Sequence, residues 1–283
     1  AMELRIRHLG QRDFEFAVNL TNLEGWGLTP EDFRRLSRLN PKGCFVAIQE
    51  GRRVGVVATT VYGRSAWIGS LIVIPEMRGR AIGTLLVEHA LEYLRMRKVE
   101  TVRLYSYPKT APFYQRLGFT EEGEVLRLLG AGRTFKSQHA RKMVMKDLSQ
   151  VAKFDRRFFG SNRSQLLRVL HNEFEDFSFV LTENGKVLGY VTAKGKGIRY
   201  ELGPWVSTPS RVDVAEELLH SCLSSLDGKE IEISIPAEND SAAKLCKEHG
   251  FAEYQRCVRM RHGPDRYGED AAAIFAVCAL EKG

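Results

Sequence analysis

The chain has 283 residues, nearly twice the ~150 of an ordinary domain, so two domains are expected, each long enough to bury a core. A hydrophobic content of 43% with 27% charged residues excludes disordered, collagenous and fibrous classes. The formal net charge of +7, with a pI near 9.2, favours an acidic partner without choosing among nucleic acid, a membrane surface and a phosphorylated small molecule. The longest apolar run, Ala271 to Leu280, is about half the roughly 20 residues of a membrane span, so it reads as a buried strand and no membrane partner is expected. The opening AMELRIRHLG has charges where a signal peptide is apolar, which predicts a cytoplasmic protein. Cys44, Cys222, Cys246, Cys257 and Cys278 are scattered and form no C-x-x-C pair, so neither a disulfide framework nor a cysteine zinc site is expected, and no metal is predicted.

In chain order, Leu4 to His8 alternates as a strand, Gln11 to Asn22 has helical spacing, and Thr29-Pro30-Glu31-Asp32 opens a second helix running to Leu39. Cys44–Gln49, Val54–Tyr62 and Ala66–Ile74 are β-rich runs broken by Glu50-Gly51 and Gly63, an antiparallel meander. A long amphipathic helix follows from Ala81 to Arg97, then a strand from Glu100 to Tyr105, a short helix from Ala111 to Leu117 and a strand from Phe119. The sequence LGAGRTFKSQHARK then loses apolar periodicity, which places a boundary near residue 135.

The order then repeats: a strand at Lys142–Lys146, helices at Leu148–Phe159 and Ser164–Phe174, and a hairpin of Phe177–Leu181 with Val187–Ala193 across Asn184-Gly185. After it come a strand at Arg199–Val206, a helix at Val212–Leu226, a strand at Glu230–Ile235, a helix at Ser241–His249 and a strand from Phe251. The fold class is therefore α/β with a mixed sheet, one architecture used twice, in units 1–135 and 136–283.

The most informative stretch is LIVIPEMRGRAIG, Leu71 to Gly83: a buried strand, a proline, and an arginine- and glycine-rich turn opening the long helix. Its physics is anion binding, because a helix N-terminus presents unpaired N–H groups and the positive end of the macrodipole, and Arg78 and Arg80 add charge. A lone glycine-rich turn could equally be a tight turn with a packing contact.

Together with Ala111-Pro112-Phe113-Tyr114-Gln115-Arg116-Leu117-Gly118-Phe119, however, the turn Arg78-Gly79-Arg80-Ala81-Ile82-Gly83 resembles the R/Q-x-x-G-x-G/A and tyrosine-L-G-F elements of the GNAT superfamily of acetyl-CoA-dependent N-acyltransferases. Two positions depart from that pattern: Ala81 stands at its first glycine, and Tyr107 at the asparagine seven residues before the tyrosine. The resemblance implies tandem acyl-CoA N-acyltransferase folds, with the backbone of Leu71, Ile72 and Val73 along the pantetheine arm. It implies that Arg78, Gly79, Arg80, Ala81, Ile82, Gly83 and Thr84 hold the pyrophosphate, and that Tyr114 is the acid protonating the departing thiolate. Acetyl-CoA is then the cosubstrate and a small-molecule amine the acceptor. The base is not identified by pattern; Glu24, on the connection NLEGWGL beside Trp26, is the first candidate because this connection should overhang the acceptor site.

The corresponding turn of the second half, Thr208-Pro209-Ser210-Arg211-Val212-Asp213-Val214-Ala215, has no glycine and places Asp213 where phosphate would sit. Cys246 stands at the tyrosine position, while Asn239 keeps the family asparagine. Phe154-Asp155-Arg156, Phe159-Gly160, Arg163, Gly203-Pro204-Trp205, Pro236 and Val258-Arg259-Met260 resemble the C-terminal domain of a two-domain bacterial and archaeal acetyltransferase family. This half is expected to keep the fold, to have lost acetyl-CoA binding, and to serve the acceptor site or the structure. The function expected is acetyl transfer by direct attack in a ternary complex; the alternative is a non-catalytic acetyl-CoA sensor. Basic pairs such as Arg34-Arg35 and Arg52-Arg53 lack an aromatic stacking pattern, so no nucleic acid is expected.

Overall fold

The structure is a computed structural model and describes residues 4–137, 139–196 and 199–283. Its first half runs β1 (Leu4–His8), α1 (Phe14–Asn22), α2 (Pro30–Leu39), β2 (Cys44–Gln49), β3 (Arg52–Tyr62), β4 (Ser65–Val73), α3 (Ile82–Met96), β5 (Thr101–Ser106), α4 (Ala111–Arg116) and β6 (Thr120–Ala131). The second runs β7 (Arg141–Lys142), α5 (Leu148–Phe159), α6 (Ser164–Phe174), β8 (Ser178–Glu183), β9 (Lys186–Lys196), β10 (Arg199–Ser207), α7 (Val212–Ser225), β11 (Glu230–Pro236), α8 (Asp240–Glu248), β12 (Ala252–His262) and β13 (Ile274–Ala276). The α2 start follows from its cap: the backbone N–H of Thr29 donates to Asp32 Oδ2 at 2.8 Å, and Pro30 sits at the first helical position.

Two expectations change. Only Arg141 and Lys142 pair as β7, and Met145–Asp147 is a 3₁₀ turn, because the Asp147 carboxylate accepts from the Val144 N–H at 2.9 Å and from Arg141 at 2.8 Å and curls the chain. Of the run Ala271–Leu280, only Ile274–Ala276 is strand. The rest is irregular chain, buried at Ala273 and from Val277 to Ala279, and residues 277–283 turn to meet the first half.

The strands form one continuous sheet in the order β1-β2-β3-β4-β5-β12-β6-β11-β10-β9-β8-β7, with β13 beside β10. The final strands of the halves are thus exchanged: β12 pairs antiparallel with β5, Val258 opposite Ser106, and β6 pairs antiparallel with β11, Ser234 opposite Arg127. Residue 135 falls between β6 and β7. Separate cores lie on either side, one packing α1, α2 and α3 on β2–β4, the other packing α7 and α8 on β8–β11. A third cluster, Tyr62, Trp67, Phe159, Leu166, Leu170 and Cys278, joins the halves.

Beside that junction lies a buried charged network. Arg163 reaches Asp155 through two bonds of 3.0 and 2.6 Å, Tyr190 donates its hydroxyl to the same carboxylate at 2.6 Å, and Arg163 Nη1 donates to the Gly283 carbonyl at 3.0 Å. The guanidinium also lies 3.6 Å over the Phe159 ring. The Asp155, Phe159 and Arg163 pattern seen in the sequence is therefore a structural clamp, holding α5, α6 and the segment 277–283 together.

Candidate active site

β4 and β5 run parallel for three residue pairs, from Ser65 opposite Thr101 to Trp67 opposite Arg103, and then part. The parting coincides with a bulge in β4: Ile72 faces Val56 but Gly69 faces Ala58, so β4 carries one extra residue, and Ser70 takes a left-handed φ of 52°. On its other edge β5 is held by β12, which keeps it from following β4. The gap opens into a cavity of about 360 Å³. Leu71, Ile72 and Val73 form one wall, Tyr105, Ser106 and Tyr107 the other, and Phe113 and Tyr114 of α4 lie along it.

One end is cationic. Arg78 donates from Nε to the Val73 carbonyl at 3.0 Å and from Nη2 to Glu24 Oε1 at 2.7 Å, while Lys109 lines the same cavity. The chain turns there through two left-handed residues, Gly79 (φ 76°) and Ala81 (φ 62°). The Leu85 N–H to Ala81 carbonyl bond, 3.0 Å, begins the α3 ladder, so the amides of Ile82, Gly83 and Thr84 precede it and have no intrahelical acceptor. A Cβ on Gly83 would make ordinary contact with the Phe113 ring at 3.6 Å and with Val73 at 3.9 Å, so this glycine keeps the wall smooth rather than relieving a clash.

Ala81 is different, because a Cβ in the left-handed region costs about 1–2 kcal/mol, partly offset by the 0.4–1 kcal/mol that alanine gains over glycine through the unfolded chain. Ala81→Gly is therefore expected to stabilise the protein by about 0.5–1 kcal/mol. Thermal melting of the variant checks this, and a lowered Tm would contradict it.

Of the residues singled out in the sequence, Leu71, Ile72, Val73, Arg78, Gly83, Tyr114 and Glu24 line this one cavity. Gly79, Arg80 and Ala81 are exposed on the turn at its edge, and the Ile82 side chain is buried in the first core. Tyr114 packs edge-on against Phe113 and Phe119, at 4.9 and 5.8 Å between ring centres, and burial pushes its phenol well above the usual range, so the proton stays on oxygen at neutral pH. Trp26 is on the wall as expected, and its indole N–H donates to the Tyr107 hydroxyl at 2.8 Å across the cleft. Tyr107, at the family asparagine position, thus ties the α1–α2 connection to the corner before α4.

Sequence reasoning missed the far end of the cavity. Arg127 of β6, Glu201 of β10, Cys257 of β12, and Leu280 and Glu281 all reach it. Glu281 presses against β4, where a Cβ on Gly69 would stand 2.2 Å from its own Cβ, and the Glu281 carbonyl accepts from Thr60 Oγ1 at 3.2 Å. No local pattern signals this, because the contact depends on residues 277–283 folding back across both halves.

The second half has the corresponding parting, and it is closed. β10 and β11 pair in parallel from Tyr200 opposite Ile231 to Leu202 opposite Ile233, and beyond that β13 enters, with Trp205 opposite Ala276. The Val277 N–H completes the insertion by donating to the Ser234 carbonyl at 2.9 Å. Asn239 holds this plug, donating from Nδ2 to the carbonyls of Ile274 at 2.8 Å and Ala271 at 3.0 Å. No residue from Thr208 to Ala215 has a positive φ, and the guanidinium of Arg211 at the start of α7 is engaged by Asp213 and Glu183 at 2.7 and 2.9 Å. Cys246 is fully buried, which pushes its thiol up to about 12 and leaves it protonated and unreactive.

A meander, a bulged strand parting from its parallel neighbour, and a glycine-turned helix beside the gap define the GNAT class of acyltransferases. Two family profiles, both described as Acetyltransferase (GNAT) domain, match residues 40–121 and 151–276. The holothin acyltransferase of Pseudoalteromonas sp. (strain SANK 73390) is 25% identical over 264 residues, which cover 92% of this chain and 88% of that one. An uncharacterized N-acetyltransferase, YitH of Bacillus subtilis (strain 168), is 24% identical over 83% of each chain. The crystal structure of a Pyrococcus horikoshii protein, provisionally assigned as an acetyltransferase, superposes with a TM-score of 0.83 at 25% identity, covering 99% of this chain and 96% of that one. The chain belongs to the GNAT acetyltransferase family and carries two GNAT-type domains in tandem.

Among the described residues, no helix is long and apolar enough to cross a membrane. All five cysteines are free and buried.

Proposed function

We propose that the first unit, residues 1–135, binds acetyl-CoA in the β4–β5 cleft and transfers its acetyl group to a primary amine of a small molecule. The second unit, residues 136–283, serves as scaffold and acceptor wall. The observation that carries this reading is the contrast between the two clefts: one is open and ends in a cationic turn, the other is filled by β13. The β4 backbone next to the Ser70 bulge receives the pantetheine arm. The amides of Gly79 to Thr84, with Arg78, receive the pyrophosphate by the helix N-terminus physics set out above. The name of the holothin acyltransferase supports an acceptor of small-molecule size.

In the transfer, the neutral amine attacks the thioester carbonyl, the C–S bond breaks, and the sulfur leaves as thiolate. Tyr114, whose buried phenol holds its proton, delivers that proton to the sulfur. The amine must first lose a proton. Glu24 reaches the cavity, but its carboxylate is paired with Arg78 at the phosphate end. Glu281 is itself paired with Lys282, but it sits beside the bulge at Gly69 and Ser70, where this reading brings thioester and amine together, so the base is assigned to Glu281 with Glu24 as the second choice.

Tyr114→Phe keeps the aromatic packing and is expected to lower kcat roughly a hundredfold with CoA affinity changed less than about twofold. Steady-state rates with acetyl-CoA over a panel of primary amines, alongside CoA titration, test this. Unchanged turnover would remove Tyr114 as the acid, and CoA binding without turnover on any amine would favour the sensor reading. Glu281→Gln and Glu24→Gln, compared on the acidic limb of the rate profile, separate the two bases.

A further inference from the structure

Away from the cleft, the second half brings three side chains with metal-ligand chemistry together. Glu216 and His220 stand four apart on α7 and so share a face, and His249 follows the last turn of α8. His249 Nδ1 lies 2.8 Å from the Leu245 carbonyl, and donation to that acceptor leaves the Nε2 lone pair pointing away from α8. That lone pair faces His220 Nε2 at 2.8 Å, and Glu216 Oε1 lies 3.7 Å from His249 Nε2 and 3.8 Å from His220 Nε2.

A tetrahedral zinc ion with bonds of about 2.0–2.1 Å separates its ligand atoms by about 3.3–3.4 Å, so opening the two rings by about 0.5 Å and drawing Glu216 in by about 0.4 Å would seat an ion over this triangle. The surroundings hold the rings in place. Phe135 stacks flat on the His220 ring at 4.4 Å and fixes its orientation. The carbonyl behind His249 is the outer-shell partner that metal-bound histidines ordinarily have.

We propose that Glu216, His220 and His249 bind a divalent transition metal of the zinc class, with the fourth position open to water on the half-exposed Glu216 side. Two imidazoles and one carboxylate suit zinc, cobalt or nickel rather than calcium or magnesium, whose ligands are oxygens. None of the three lines the transfer cavity, so the metal has no part in the chemistry there. It clips α7 to the end of α8 and, through Phe135, to the connection between the halves. The sequence expectation of no metal rested on cysteine spacing and did not consider these residues, which are distant in the chain.

The test is a titration of the metal-free full chain with Co²⁺ and then Zn²⁺. One equivalent of Co²⁺ is expected to give a tetrahedral visible absorption without a thiolate charge-transfer band, Zn²⁺ to displace it, and either ion to raise Tm. Glu216→Ala with His220→Ala should lose the absorption and the Tm rise, with affinity at least about tenfold weaker, while melting like the wild type in EDTA. If that pair melts lower without metal, Glu216→Gln alone carries the comparison. No cobalt absorption in the wild type, a thiolate band, or a Tm rise that persists in the variants would overturn the proposal.

Discussion

Arg78→Glu combined with Gly83→Asp is expected to weaken CoA binding roughly a thousandfold, below detection in an ordinary titration, with the far-UV spectrum unchanged. Arg78 stands at the cationic end of the cavity, and reversing its charge turns attraction for the phosphates into repulsion and breaks its pairing with Glu24. The Gly83 substitution acts differently. Its Cβ fits against Phe113, but the carboxylate beyond it occupies the helix N-terminus that the pyrophosphate needs. The variant should fold, because Arg78 is about half exposed and Gly83 meets no backbone. Retained micromolar affinity would remove the turn as the CoA site. Arg78→Ala alone should cost less, since the backbone amides remain.

Arg163→Met is expected to destabilise the protein by about 3–5 kcal/mol, read from urea midpoints, because it strands the fully buried Asp155 carboxylate. Tyr190 still donates to Asp155 at 2.6 Å, but a hydroxyl does not neutralise a charge in a dry site. The same substitution frees the Gly283 carbonyl and loosens the segment that carries Glu281, so transfer should fall along with stability. Replacing both partners, Arg163→Met with Asp155→Leu, should recover only part of the stability, since the apolar pair carries no desolvation penalty but the buried Tyr190 hydroxyl loses its acceptor. A cost below about 1 kcal/mol for the single variant would mean that water reaches the pair.

How much of this was legible in the chain depends on how local each feature is. The helices and hairpins are local, and their periodicity, caps and turn residues place their ends within about three residues, most closely at Thr29-Pro30 and Asn184-Gly185. The glycine-bearing turn is also local: Arg78, Gly79 and Gly83 lie within six consecutive residues at the start of one helix. The weak points were short or irregular segments. At Lys142–Lys146 the alternation suggested a strand, but Asp147 offered the backbone closer hydrogen bonds and a turn formed.

The far end of the cavity could not be read because its walls come from β6, β10, β12 and residues 280–281, spread from residue 127 to residue 281.

By itself the sequence determined a mixed α/β architecture used twice, with one glycine-turned helix suited to phosphate and one without. Only the tertiary structure decided that the last strands trade places, that β13 fills the second cleft, and that Glu281 lines the far end of the first. The physical reason is that strand neighbours are chosen by backbone hydrogen bonds, which every residue except proline can donate and accept, so side-chain pattern specifies that a segment is a strand but not which strand it joins. The positive charge is settled the same way. Most of the arginines are engaged in ion pairs such as Arg163 with Asp155 and Arg35 with Asp32, and Arg78, itself paired with Glu24, is the one that lines the end of the open cleft beside the turn.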